Sequence, residues 1–319
     1  MKEMKNKHSI IERLSARLSW LVPWCELLRI PNLFTVYGDV LAGVALSWVT
    51  LGKGAPLVIG RVVAASLASV LLYAYGLIEN DWVDAPEDLR ARPERPIPSG
   101  RISSLAAAIA GLGCALMGLV LAACCGRRVF LVALVLFLTI SAYNFWLKKH
   151  RLAGAVGMGV CRGLNMALGC MLVDFTLLML FPVLGLSVFI ALVTLLADRE
   201  DTAQRPTEQV FCPSLAFLVA WVITVPFLSG SITGWGCGGS FLLVLLSIGL
   251  SLYAAYRVYG HRVGPRQMHP FIGQLILCLI PWQSAWCLLA APHHTVAILF
   301  FALFSYLLAM GLARRFPQS

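Results

Sequence analysis

The sequence predicts an all-α fold, a polytopic membrane helical bundle of nine or ten transmembrane helices. Composition is the first reason: the 319 residues are 59% hydrophobic and 13% charged, with a mean hydropathy of +0.82, against ~45–50% apolar residues in ordinary soluble domains. Periodicity is the second. Apolar stretches near the roughly 20 residues that cross a hydrocarbon layer recur from Asn32 to Ala313. The third is the lack of the alternating pattern of a β-barrel, which leaves helices as the structure that satisfies its own backbone in lipid.

Taken in order, residues 1–29 form a cytoplasmic amphipathic segment and residues 30–319 an integral membrane domain. No early apolar core with a small-residue cleavage site marks a removable signal. Instead "SIIERLSARLSWLVPWCELLR" reads as an interfacial helix, with Trp20 and Trp24 at headgroup level. Membrane helices are expected at 33–51, 59–80, 103–125, 128–147, 152–173, 176–197, 213–231, 238–257, 271–291 and 294–313. Little more than "APHH" separates the last two, so nine remains open beside ten.

The net charge of +10 is distributed in a way that argues against nucleic acid. Twenty of the 25 Lys and Arg fall on one set of alternate loops together with both termini. The opposite side holds Lys53, Arg61, Arg127 and Arg128, and Arg162 lies inside a helix. Such a bias places both termini and the basic loops in the cytoplasm. The ten cysteines form no C-x-x-C pair and lie mostly in apolar helices, where Cys acts as a small hydrophobe.

Ten of the fifteen Asp and Glu collect in two places on that cytoplasmic side: Glu79 to Glu94 after the second predicted helix, and Asp198 to Glu208 after the sixth. Asp81, Asp84 and Asp88 stand at i, i+3 and i+7, one face of a continuing helix, although Pro86 is expected to kink or end it. Asp198 and Asp201 repeat the i, i+3 spacing. Oxygen donors without His or Cys favour Mg²⁺, which binds through one or two carboxylates plus substrate phosphates. Interleaved Arg and Lys suit a phosphate anion. Solvated loop ends tied by ordinary ion pairs are the plainer reading.

These residues resemble a known family. "NDWVDAPEDLRARPERPIPSGRIS" is similar to the first signature of the UbiA superfamily of intramembrane prenyltransferases, N-D-x-x-D-x-x-x-D followed by R-P-I-P-S-G, with Asn80, Asp81, Asp84 and Asp88 at its four positions. "LADREDTAQ" resembles the second aspartate-rich motif through Asp198 and Asp201, but has Thr202, Ala203 and Gln204 where a further Asp is usual. "YNFWLKKH" resembles the segment that supplies a Tyr and a Lys, here Tyr143 and Lys148, and "CRGLNMALG" the polar helix-5 motif with Asn165. "PNLFTVYGDVLAG" looks like the family's entry into its first helix, and with "CRGLNMALG" is similar in wording to the EboC-type branch.

The resemblance implies a UbiA-type fold in the cell inner membrane, with its active site facing the cytoplasm. It also implies Mg²⁺-dependent transfer of a prenyl group from an isoprenoid diphosphate to an unidentified aromatic or lipid-like acceptor. Asp81, Asp84, Asp88, Asp198 and Asp201 become metal ligands, Tyr143 a stabiliser of the allylic cation, and Asn80, Arg95 and Lys148 donor-binding groups. Arg162 and Asn165 lie about ten residues into their helix, roughly 15 Å deeper, and are expected near the acceptor; their plainer role is to bond helices together. Asp39 is expected either to touch the acceptor or to pair with Arg162. Two alternatives stay open: a cation-coupled transporter, which predicts charges nearer mid-membrane, and a non-catalytic family member in a membrane complex.

Overall fold

The computed structural model describes residues 20–51, 58–198, 205–228 and 234–313, and the elements are helices throughout. Residues 1–19 of the expected amphipathic segment, and Asp201 of the second acidic cluster, lie outside the described residues. The helices are α1 (Leu21–Leu27), α2 (Ile30–Thr50), α3 (Ile59–Ala91), α4 (Ser104–Cys125), α5 (Arg127–Phe145), α6 (Arg151–Cys170), α7 (Leu180–Ala197), α8 (Cys212–Thr224), α9 (Gly234–Val258), α10 (Pro265–Leu277), α11 (Leu279–Ala290) and α12 (Thr295–Ala313).

Among the described residues, nine helical segments are long and apolar enough to span a membrane, with α10 and α11 acting as one. The tenth expected helix is α6, 20 residues long but diluted by glycines and by Arg162 and Asn165. It is a central helix, and the glycines explain how. A β-carbon at Gly169 would sit 2.1 Å from the Val40 carbonyl oxygen of α2, and one at Gly43 would sit 2.1 Å from that of Met166. On the other side Gly159 and Gly163, at the G-x-x-x-G spacing, rest on Ser187 of α7. Small residues let backbones approach where lipid offers no hydrophobic drive between helices.

Several boundaries differ from expectation, and two have a clear reason. The helix predicted to end at residue 80 runs on to Ala91, because Pro86 stands on an exposed face and loses one hydrogen bond without stopping the helix. The ninth span starts at Pro265 rather than 271, proline being well suited to a first helical position. Trp20 is exposed as an interfacial residue would be, whereas Trp24 packs with Leu28 against Leu27, Ile78 and Ile102. Between α1 and α2 the chain turns through Arg29 at φ 42°, the sole non-glycine residue with positive φ among the described residues.

The largest buried side chains stack where α7, α8 and α11 meet: Phe189 on Phe217 with centroids 3.9 Å apart, and Phe217 on Trp282 at 4.9 Å. The outward faces of α4 and α12 expose Leu105, Ile109, Leu112, Phe300 and Phe304, as lipid contact requires.

Candidate active site

The continuation of α3 past Asn80 builds the first part of the site. Asp81 and Asp88 point the same way and are buried, while Asp84 is half-buried beside them. Each carboxylate has a basic partner. Arg29 reaches Asp81 at 3.4 Å, Arg95 reaches Asp88 at 2.7 Å and Asp81 at 3.8 Å, and the Lys148 ammonium reaches Asp84 at 2.6 Å. Lys148 also donates to Asn80 Oδ1 at 3.1 Å. The expected donor-binding groups Asn80, Arg95 and Lys148 thus converge on the three expected carboxylates.

The segment after α3 explains the placement of Arg95. Residues 92–102 fold into a tight loop, with the Ile102 amide donating to the Pro96 carbonyl at 2.9 Å and Gly100 taking φ 74°. Ile97 and Ile102 are buried against Ile78 and Ala107. Apolar burial fixes the loop, and the loop aims Arg95 back at the helix it leaves.

Asp198 ends α7 and pairs with Arg151 at 3.2 Å, both partners about half exposed. Like Asp81, Asp84, Asp88, Arg95 and Lys148, it does not itself line the cavity described next, which meets the ledge at Arg29 and Asn80. Among the described residues no three acidic, His or Cys side chains converge on one point. The donor set still fits Mg²⁺, because oxygen-only carboxylates, one or two per ion, leave the remaining positions to water and phosphate.

A cavity of ≈ 670 Å³, counting its open mouth, runs inward from this ledge between α2, α3, α5 and α6. Arg29 and Asn80 stand at the charged end, Leu77, Leu136, Ile140 and Met158 form apolar walls, and Tyr143 and Asn144 lie along α5. Arg162, Asn165 and Ser69 form the inner end.

That inner end is a buried polar network. Asp39, fully buried on α2, accepts from Arg162 Nη2 at 3.0 Å, Asn165 Nδ2 at 3.0 Å and Gln283 Nε2 at 2.6 Å. Ser69 donates to Asn165 Oδ1 at 2.6 Å, and Asn165 donates to the Val36 carbonyl at 2.9 Å. Of the two expectations for Asp39, pairing with Arg162 is the one observed. One carboxylate facing one guanidinium and two amides is a paired ionic cluster, with Arg162 Nε left buried and without a partner, and such pairs are costly to break from one side.

Arg29, Asn144 and Gln283 were not singled out by sequence. Asn144 donates to Glu79 Oε2 at 2.8 Å and to the Gly76 carbonyl at 3.0 Å. Gln283 is the lone amide in the apolar run of α11, which is a usable signal. Arg29 reads as a topology residue until the turn at its own backbone is seen.

Comparison with known proteins adds the following. The model of the UbiA prenyltransferase family matches residues 40–272. A digeranylgeranylglyceryl phosphate synthase from Methanopyrus kandleri is 38% identical over 103 residues, covering 32% of this chain and 38% of that protein. One from Hyperthermus butylicus is 33% identical over 142 residues, covering 44% and 46%. The chain therefore spans less than half the length of these curated relatives. Among solved structures, one described as digeranylgeranylglyceryl phosphate synthase in membranes superposes with TM-score 0.59 at 17% identity, over 86% of this chain and 99% of its own. A UbiA homologue from Archaeoglobus fulgidus bound to DMAPP and Mg²⁺ gives 0.52 at 16%, over 83% and 98%. At these identities the structural likeness carries the fold.

Proposed function

The chain belongs to the UbiA prenyltransferase family and is an integral membrane helical bundle; on that premise we propose that it transfers a prenyl group from an isoprenoid diphosphate to a lipid-like or aromatic acceptor. One observation carries the reading: a single cavity runs from Arg29 and Asn80, at the edge of the charged ledge, to apolar walls, which matches a ligand with an anionic head and a hydrocarbon tail. The DMAPP and Mg²⁺ on the Archaeoglobus fulgidus homologue support it.

In the reaction the allylic C–O bond breaks and its electron pair leaves with diphosphate. The acceptor supplies the pair for the new bond to carbon and loses a proton. Asp81, Asp84 and Asp88, with Asp198 and Asp201, would hold Mg²⁺, which when bound would supply positive charge at the leaving group. Arg29, Arg95 and Lys148 pair with those carboxylates; with a metal ion on the acids their charge would be available to the diphosphate, and charge-assisted contacts of this kind are the strong ones. Tyr143 offers its ring to the developing cation. The apolar walls keep water from it, and Arg162 and Asn165 face the acceptor's end of the cavity. The basic loops and this site lie on the cytoplasmic side of the inner membrane.

Purified protein given a labelled isoprenoid diphosphate series tests the proposal. Prenylated lipid is expected with Mg²⁺, none in excess EDTA, and none from Asp81→Asn or Asp84→Asn variants that still fold. Product formation that survives both substitutions refutes the metal ledge.

A further inference from the structure

A second cavity lies on the far side of the bundle. It opens between α9, α10 and α12, ≈ 950 Å³ counting its mouth, and takes no part in the site above. Arg257, in the last turn of α9, and Arg266, in the first turn of α10, both line it. Gln267, Gln274 and Tyr306 add polar groups, with Gln274 donating to Tyr306 at 2.6 Å, and Leu250 and Phe271 form the apolar part of the wall.

The charge here is unbalanced. From Gln209 to the C-terminus the sequence contains no Asp or Glu, and no ion pair to Arg257 or Arg266 occurs among the described residues. Arg257 at a helix C-terminus is favourable to the macrodipole, but Arg266 is not: it adds a cation to the positive N-terminal end of the 13-residue α10. A cation at that position gains from an anion placed between it and Arg257. Exposed Tyr253 and Tyr256 beside the cavity mark headgroup depth.

We propose that this cavity binds an anionic phospholipid, its headgroup phosphate between Arg257 and Arg266 and an acyl chain along Leu250 and Phe271. Basic clefts between membrane helices are the known setting for such headgroups. The apolar wall favours a lipid over free phosphate, which has no use for it.

Delipidated protein in detergent, titrated with phosphatidylglycerol and followed by native mass spectrometry and thermal unfolding, decides the matter. Saturable binding of phosphatidylglycerol with a raised Tm is expected, with no such rise from phosphatidylcholine or inorganic phosphate. Arg257→Gln/Arg266→Gln is expected to weaken it by about tenfold or more, at ~1 kcal/mol per basic group, while Arg262→Gln, an exposed arginine outside the cavity, leaves it unchanged. Equal binding in the double variant, or equal loss in Arg262→Gln, overturns the site in favour of diffuse surface charge. A rise with inorganic phosphate that matches the lipid's overturns the lipid assignment. Should the double variant not fold, Arg266→Gln alone carries the same comparison.

Discussion

At the scale of single residues, the Asp39–Arg162 pair gives the sharpest expectation. Both are buried, and Asp39 also holds Asn165 and Gln283. Arg162→Met leaves an uncompensated carboxylate, a change that costs about 3–5 kcal/mol where a buried pair is broken from one side. Asp39→Leu/Arg162→Met removes both charges, so its Tm in detergent is expected to lie above that of either single variant. A double variant no more stable than the singles contradicts mutual neutralisation. Lys148 differs: it is partly accessible and touches Asn80 and Asp84. Lys148→Ala is expected to leave Tm nearly unchanged and to weaken a non-hydrolysable donor analogue by roughly tenfold, the loss of one charge-assisted contact. Calorimetric titration reads it, and unchanged affinity removes Lys148 from the donor site.

At the scale of helices, the contacts of α6 are backbone against backbone, so its glycines are the sensitive positions. Gly169→Ala drives a β-carbon into the Val40 carbonyl, and overpacking of this kind costs ~1–3 kcal/mol. Gly113 on α4 has nothing within 4 Å of the same position, so Gly113→Ala is expected to be neutral or mildly stabilising. Paired melts compare the two, and equal effects would mean that α6 does not pack as closely as described. This is also where sequence was least informative. Hydropathy locates a helix by its apolar content, and α6 is poor in that content because most of its surface packs on other helices through glycines, with Leu152, Val156 and Val160 facing outward. The extent of α3 was hidden similarly, since Pro86 reads as a stop unless its face is known to be exposed. The ledge itself was legible from the charge spacing at i, i+3 and i+7, which forms one face because the helix continues to Ala91. Arg29, which reaches Asp81 of the ledge across 52 positions of sequence, and Gln283, which reaches Asp39 at the inner end across 244, were not.

For the molecule as a whole, the ion-pair ledge and the Arg128–Asp174 pair stand at opposite ends of the bundle. Cysteines introduced at Ser99 and at Arg127 are expected to react with an impermeant maleimide from opposite faces of sealed vesicles, Ser99→Cys from the cytoplasmic face. Labelling of both from one face contradicts the topology. The turn at Arg29 has a bearing on this architecture as well. A left-handed conformation costs a side-chain-bearing residue roughly 1–2 kcal/mol, and glycine would adopt it freely. Arg29 nonetheless stands there with its guanidinium on Asp81, so at this elbow an unstrained backbone and the ion pair are opposed: the substitution that relaxes the backbone, Arg29→Gly, is the one that removes a cation from the ledge.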